Sequence, residues 1–215
     1  MSPPEKIRRI IEIFEKINPD PKTELHYRTP YELFVAVVLS AQCTDARVNE
    51  VTPSFFKEYP DFTTLAAANP EEVARTIRSI TYPNSKSQSL VKAAREVIQQ
   101  HGGMLPRDFD ALRALPGVGR KTANVLLSVL YNAPTLPVDT HVFRVSKRLG
   151  LVPQSTPSPE ATEQLLLKIV PPEYRGKFHH WIILHGRYIC KARKPLCDRC
   201  PLTDICDEYR GRMGS

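Results

Sequence analysis

The chain has 215 residues, with 30 Lys or Arg against 23 Asp or Glu, so its formal net charge at neutral pH is +7. This length is enough for one large domain or two small ones, and the basic excess favours a polyanionic partner. The N-terminal residues do not resemble a signal peptide, and no run of 18 apolar residues indicates a membrane helix. An intracellular, cytoplasmic protein is therefore expected, whose five cysteines serve metal or redox chemistry rather than disulfides.

Apolar side chains recur mainly every three or four positions, which is the spacing of one buried helical face. The pattern predicts helices over residues 6–17, 31–41, 48–56, 70–80, 85–100, 108–115, 121–131, 139–149, 159–170 and 174–188. Prolines lie mainly between these segments, and no convincing alternating run of strand length is present. We therefore predict an all-α fold.

Residues 115–123 read LPGVGRKTA and lie between two short helical patterns. Gly117 and Gly119 are expected to permit positive φ and a tight reversal. They also leave backbone N–H groups uncovered at the start of the next helix, which is a site suited to a phosphate of DNA. Arg120 adds positive charge beside it. A helical corner without a ligand is the alternative on this spacing alone.

Lys121 falls in the first turn of the helix that follows. The helix dipole disfavours an ammonium there, so a partly buried lysine is expected to have a lowered pKa and to act as a nucleophile. An ordinary surface charge is the alternative. Asp139 follows 18 residues later in the segment VDTH, where it is placed to cap the next helix. A carboxylate at this point can also face a developing cation or orient a nucleophile.

Four cysteines lie close together near the C-terminal end, with the spacing C-x6-C-x2-C-x5-C; they are Cys190, Cys197, Cys200 and Cys206. Four thiolates at this spacing predict one metal centre, either a [4Fe–4S] cluster or Zn²⁺. A single C-x2-C flanked by two wider gaps favours the bulkier cluster. Cys43 stands apart in an apolar segment and is predicted to be a buried core residue.

The loop between the first two of these cysteines reads KARKPL. Lys191, Arg193 and Lys194 are clustered on it, which predicts a patch that contacts DNA phosphates. A solvated, charged loop without a partner is the alternative.

The hairpin, the VDTH segment and the four-cysteine pattern follow one another in an order that resembles the endonuclease III family, the bifunctional members of the helix–hairpin–helix DNA glycosylase superfamily. Further similar stretches are LSAQCTD at 39–45, VDTHVFRVSKRLGL at 138–151 and HHWIILHGRYIC at 179–190. The resemblance implies two helical domains with a DNA-binding cleft between them. A six-helix barrel domain with the hairpin would span 23–133, and 1–22 with 134–215 would carry a [4Fe–4S] cluster.

The resemblance also implies the chemistry, which is base excision from duplex DNA that bears a damaged base or an abasic site. A damaged pyrimidine is flipped out, the amine of Lys121 attacks C1′, and Asp139 stabilises positive charge on the sugar and helps to activate the lysine. The resulting Schiff base leads to β-elimination and strand cleavage. No metal takes part in these steps, and chemistry at one site suits a monomer.

The positions that match the family's gap-filling residues are Gln42 and Tyr82. Residues 80–86 read ITYPNSK, whereas the common form is roughly Ile-Gly-Leu/Phe-Tyr-Asn-Ser-Lys, so Thr81 replaces a flexible glycine and Pro83 stiffens the turn. Tyr82 is expected to stack between bases or, alternatively, to pack on the loop. His141 is expected either to contact DNA or to pack.

Two other functions are compatible with parts of the pattern. A monofunctional relative, such as an adenine or mismatched-thymine glycosylase, uses water where this chain has Lys121. A non-catalytic DNA-binding module with an iron–sulfur cluster would need the hairpin and the cysteines, but not Lys121 together with Asp139.

Overall fold

The computed structural model describes residues 1–213. Within these residues the regular secondary structure consists of helices joined by turns and loops, with no strand, which confirms the all-α prediction. The helices are α1 (Pro3–Ile17), α2 (Pro30–Ser40), α3 (Asp45–Glu58), α4 (Phe62–Ala67), α5 (Pro70–Thr76), α6 (Pro83–His101), α7 (Phe109–Ala114), α8 (Arg120–Tyr131), α9 (Thr140–Leu149), α10 (Pro159–Ile169), α11 (Arg175–Tyr188) and α12 (Asp207–Met213). Short 3-10 turns lie at Pro172–Tyr174 and Cys197–Arg199. Within the described residues, no helix is long and apolar enough to cross a membrane.

The chain divides into two compact units. Thr23–Tyr131 forms the hairpin unit, whereas Met1–Lys22 and Asn132–Ser215 together form the cysteine unit. The hairpin unit is one continuous segment that contains α2 to α8, and the cysteine unit joins α1 to α9–α12. The last two residues of the segment expected over 134–215 lie outside the described residues.

Several helix starts follow one local rule. A Ser, Thr or Asn in extended conformation is followed by Pro at the first helical position, where a missing N–H costs nothing and φ is already helical. These pairs are Ser2-Pro3, Thr29-Pro30, Asn69-Pro70 and Ser158-Pro159. The prolines that separate the apolar segments in the sequence therefore start helices.

In the hairpin unit, α2 is buried on nearly all sides, because every residue from 31 to 39 is buried. The helix packs against α3, α6 and α8. This explains why its sequence is an almost continuous apolar run rather than an amphipathic pattern. Its C-terminal end and the start of α8 both contribute to the candidate site.

In the cysteine unit, α1 contributes an apolar stripe to a core formed mainly with α9 and α11. The ring of Phe14 stacks on Trp181 with centroids 5.9 Å apart. The buried Lys6 donates from Nζ to the Leu149 carbonyl at 2.6 Å and to Asp207 Oδ1 at 2.5 Å. These contacts bring the first helix of the chain together with α9 and α12.

Candidate active site and cysteine centre

The glycine hairpin connects α7 to α8 and depends on Gly117. This residue has φ +81°, and a Cβ added to it would lie 2.9 Å from Cβ of Ser89. Both the left-handed backbone and the lack of space therefore require glycine. The buried Val118, whose N–H donates to the Leu115 carbonyl at 3.1 Å, holds the tip of the hairpin against the unit.

Gly119 differs from the expectation, because of the two hairpin glycines only Gly117 has positive φ. A Cβ on Gly119 would meet nothing within 4 Å, so this position is open rather than conformationally special. The guanidinium of Arg120 lies over the ring of Phe109 at 5.5 Å, and that of Arg113 lies over the same ring at 5.9 Å. The hairpin therefore presents uncovered backbone beside cationic side chains, as an anion site requires.

Lys121 lies in the first turn of α8 and is exposed, so of the two environments that the sequence left open, partial burial and the surface, it occupies the surface. The buried face of α8 begins with Ala123 and Asn124. At about 100° per residue, Lys121 lies away from that face. Its amine is therefore accessible to a large substrate directly behind the hairpin.

Asp139 caps α9, as predicted. Its Oδ1 accepts hydrogen bonds from the backbone N–H groups of His141 at 2.9 Å and Val142 at 2.8 Å. Both hydrogen bonds of the cap therefore use the same carboxylate oxygen. A single oxygen thus performs the structural role, and the half-buried carboxylate retains a second oxygen for a substrate.

His141 is half-buried beside this cap, with Nδ1 3.3 Å from Nη2 of Arg144. Burial lowers the pKa of His141, and Asp139 partly opposes that shift. The imidazole is therefore neutral at neutral pH and available as a hydrogen-bonding group rather than as a cation.

Gln42 and Tyr82, the residues expected to fill a gap in DNA, are both exposed and both have left-handed backbone, with φ of +54° and +57°. Gln42 follows α2, and Tyr82 is the residue before α6. Thr81 Oγ1 donates to the Gln42 carbonyl at 3.0 Å, so the two segments lie against each other. Sequence reasoning did not identify Lys86, whose buried amine also joins them.

The four C-terminal cysteines line one cavity, together with apolar side chains that include Leu149, Ile189 and Leu196; they are Cys190, Cys197, Cys200 and Cys206. Burial raises the pKa of Cys200 to about 11 and also raises that of Cys206. Thiolates are therefore disfavoured there without a positive partner. Iron supplies that charge, so the donor set fits an iron–sulfur cluster held by four thiolates.

Cys43 does not follow the prediction of a buried helical residue. It lies in the turn after α2 and is half-buried and unpaired with another cysteine. The helix ends at Ser40, and Ala41 is its C-cap, so Cys43 lies outside the apolar helix.

The loop after Cys190 is held by its backbone and leaves its charges exposed. Arg148 donates to the carbonyls of Lys191 at 2.8 Å and Ala192 at 2.9 Å. Lys191, Arg193 and Lys194 are exposed. The fixed backbone with outward cations fits a phosphate-contacting surface.

A helical fold, a glycine hairpin that opens a helix, and a four-cysteine centre define the class. The family model described as HhH-GPD superfamily base excision DNA repair protein matches residues 35–172. A second model, the iron–sulfur binding domain of endonuclease III, matches residues 190–206 and confirms iron–sulfur over zinc.

Curated relatives and solved structures narrow the class to one family. Endonuclease III of Rickettsia conorii is 48% identical over 203 residues, which cover 94% of this chain and 96% of that protein. Endonuclease III of Escherichia coli K12 is 47% identical over 199 residues, covering 91% and 92%. A trapped endonuclease III–DNA covalent intermediate superposes with a TM-score of 0.91 at 45% identity, covering 98% of each chain.

The chain belongs to the endonuclease III family of the HhH-GPD superfamily. It is a DNA-binding base excision repair enzyme, a DNA glycosylase and abasic-site lyase with an iron–sulfur domain. The bifunctional interpretation is thus favoured over a monofunctional glycosylase and over a non-catalytic module.

Proposed function

We propose that this enzyme removes oxidised pyrimidines from duplex DNA with Lys121 as its nucleophile. The observation that carries the proposal is the exposed amine in the first turn of α8, directly behind an uncovered glycine hairpin. A hairpin that binds phosphate places the adjacent amine near a sugar. The capture of a relative as a covalent intermediate with DNA supports a covalent route.

In the proposed reaction, the uncharged amine of Lys121 donates its electron pair to C1′ of a flipped nucleotide. The lysine's electron pair forms the new bond between Nζ and C1′. The bond from C1′ to the base breaks, and the base leaves with the two electrons of that broken bond and gains a proton. Opening of the sugar ring gives a Schiff base between Nζ and C1′. Loss of a proton from C2′ then breaks the bond to the 3′ oxygen, and water releases the lysine. One amine accounts for both activities.

Asp139 is proposed to stabilise the positive charge that develops on the sugar and to help deprotonate Lys121. The oxygen that does not cap α9 is the one available for these roles. His141, neutral and adjacent, is proposed to hydrogen-bond to DNA.

The remaining predicted residues are proposed to position the DNA. Backbone N–H groups at Gly117 and Gly119 and the guanidinium of Arg120 would bind a phosphate, and so would the cations that follow Cys190, namely Lys191, Arg193 and Lys194. Gln42 and Tyr82 would fill the gap left by the flipped base. The hairpin unit would be the DNA-binding domain and the cysteine unit the [4Fe–4S] domain of a cytoplasmic monomer.

The test of the nucleophile is reductive trapping. Wild-type enzyme mixed with duplex DNA that carries an abasic site, in borohydride, is expected to form a covalent adduct, and Lys121→Ala is expected to form none. Lys92→Ala, which removes an exposed lysine from α6, is the matched control and should trap normally. Trapping by Lys121→Ala at the wild-type level would refute the assignment.

The test of the carboxylate is Asp139→Asn, because Asn caps a helix as well as Asp does but carries no charge. We expect thermal stability and DNA affinity to be retained, and release of thymine glycol in single turnover to slow at least about 100-fold, the scale of one lost electrostatic group. Asp108→Asn, which changes the cap of α7 in the same way, should leave the rate unchanged. An unaltered rate in Asp139→Asn would remove this residue from the mechanism.

A further inference from the structure

Two exposed side chains of the hairpin unit stand on left-handed backbone, which is uncommon for residues other than glycine. They are Gln42, just after α2, and Tyr82, just before α6. In residues 1–213, the only other non-glycine residue with positive φ is Asn132, and asparagine tolerates this region more readily. Such backbone persists only where the surrounding structure holds it.

Three side-chain hydrogen bonds hold the two segments to each other. Thr81 Oγ1 donates to the Gln42 carbonyl at 3.0 Å. Lys86 Nζ donates to the carbonyls of Leu39 at 2.8 Å and Ala41 at 2.6 Å. These oxygens lie at or just beyond the end of α2, where carbonyls lack helical partners and carry the negative end of the helix dipole.

Lys86 is buried, with 8% of its surface exposed, in the first turn of α6. Its amine therefore ties the start of that helix, immediately after Tyr82, to the end of α2, immediately before Gln42. Pro83 fixes φ at the first helical position. The backbone of both exposed side chains is thus restrained from two directions.

We propose that Thr81 and Lys86 are positioning residues that join Gln42 and Tyr82 into one rigid, two-pronged wedge, which enters damaged DNA as a unit. This inference rests on the proposed function, in which both side chains fill the gap. Thr81 stands where the common form has glycine, and glycine has no side-chain donor for the Gln42 carbonyl. Because the wedge is ordered before DNA binds, insertion requires little further ordering of the protein.

The first test is the affinity of the holoenzyme for a duplex with one tetrahydrofuran abasic analogue, which cannot form a Schiff base. Thr81→Val keeps the branched shape but removes the hydroxyl, so we expect binding to weaken about fivefold, the equivalent of one hydrogen bond. Thr81→Ser should restore it. Thr76→Val, which removes the hydroxyl that donates to Glu58 at 3.1 Å, is the matched control and should bind normally. Normal binding by Thr81→Val would overturn the proposal.

The second test asks whether the prongs act together. Gln42→Ala, Tyr82→Ala and the double variant are compared with Thr81 intact and with Thr81→Val. A joined wedge predicts non-additive losses of affinity with Thr81 intact and losses closer to additive without its hydroxyl, since only the bonds of Lys86 then remain. It also predicts that Thr81→Val lowers the fluorescence of 2-aminopurine placed opposite the analogue, because the wedge unstacks that base less completely.

The outcomes separate this inference from the proposed function. Additive losses in both backgrounds would exclude the joined wedge but leave gap filling intact. Full affinity in both Gln42→Ala and Tyr82→Ala would contradict gap filling itself. Thr81 is exposed, so its variants are expected to fold, and equal thermal midpoints establish this before the DNA measurements.

Discussion

The two glycines of the hairpin have different physical reasons to be glycine. Gly117 needs its left-handed backbone and has Ser89 where a side chain would begin, whereas Gly119 has ordinary backbone and open surroundings. The first glycine therefore belongs to the folding of the hairpin. The second leaves room for something that approaches from outside, which we propose to be the DNA backbone.

Separate measurements should distinguish these roles. Gly117→Ala is expected to lower stability by about 2 kcal/mol, because strained backbone and a clash add, and thermal unfolding will show it. Gly119→Ala is expected to change stability by less than about 1 kcal/mol but to weaken binding to undamaged duplex several-fold, since a methyl group keeps phosphate from the N–H groups. The reverse pattern would contradict this division.

At the scale of elements, the loop that follows Cys190 combines a fixed backbone with exposed charge. Arg148 holds its carbonyls, and Leu196 N–H donates to the Ile189 carbonyl at 2.9 Å to close it. A loop held in this way does not need to be ordered when phosphate binds. Its cations should therefore contribute fully to the salt dependence of DNA affinity.

Replacing the three cations of this loop, Lys191, Arg193 and Lys194, with Gln should reduce the slope of log affinity against log salt by about 0.9 for each phosphate that the loop no longer neutralises. The control replaces three exposed cations of α1 and α10 with Gln, namely Arg8, Lys16 and Lys168. It removes the same net charge and should change the slope less. Equal slopes for the two triple variants would exclude a specific role for the loop.

Helices with a long apolar stripe were predictable from the sequence, because the apolar residues that form the stripe recur every three or four positions. The short α4 was not, since only Phe62 and Leu65 of its six residues are buried. The segment 70–80 was predicted as one helix, but α5 ends at Thr76. Ile77 and Ile80 are buried beyond that end, so helical spacing continues where the helix does not.

Some features of the candidate site were likewise predictable from the sequence, and others were not. The hairpin, the helix cap at Asp139 and the cysteine spacing each lie within one short segment, so the sequence predicts them directly. The contacts of Thr81 and Lys86 join residues 39 to 47 positions apart, so local spacing cannot show them. The sequence also left open whether Lys121 is partly buried or exposed, because the contacts of α8 that decide this come from distant parts of the chain.

For the whole molecule, burial of neutral histidine makes stability depend on pH. Burial lowers the pKa of His180 in α11 from 6.5 to about 4. Between these two pKa values, His180 is protonated in the unfolded chain but remains neutral in the folded chain. The free energy of unfolding therefore falls as the pH falls from 6.5 towards 4. At pH 5 the loss from this one group is about 2 kcal/mol.

Urea unfolding at pH 7 and pH 5 measures this loss. His180→Gln removes the titrating ring and should lose less stability between the two pH values than wild type. His26→Gln, which changes an exposed histidine, should behave as wild type. Identical losses in wild type and His180→Gln would show that His180 does not cause the dependence.

The contact between Lys6 and Asp207 spans 201 positions, and this sets an order of events during synthesis on the ribosome. The hairpin unit is continuous, so it can complete its own contacts while the rest of the chain is still being translated. Helix α1 precedes the hairpin unit in the chain, whereas its core partners on α9 and α11 follow that unit, so its apolar stripe cannot be covered by them until they are translated. The four cysteines follow α11 in the chain, so the iron–sulfur cluster can be held by all of its ligands only after the whole core of the cysteine unit has been translated.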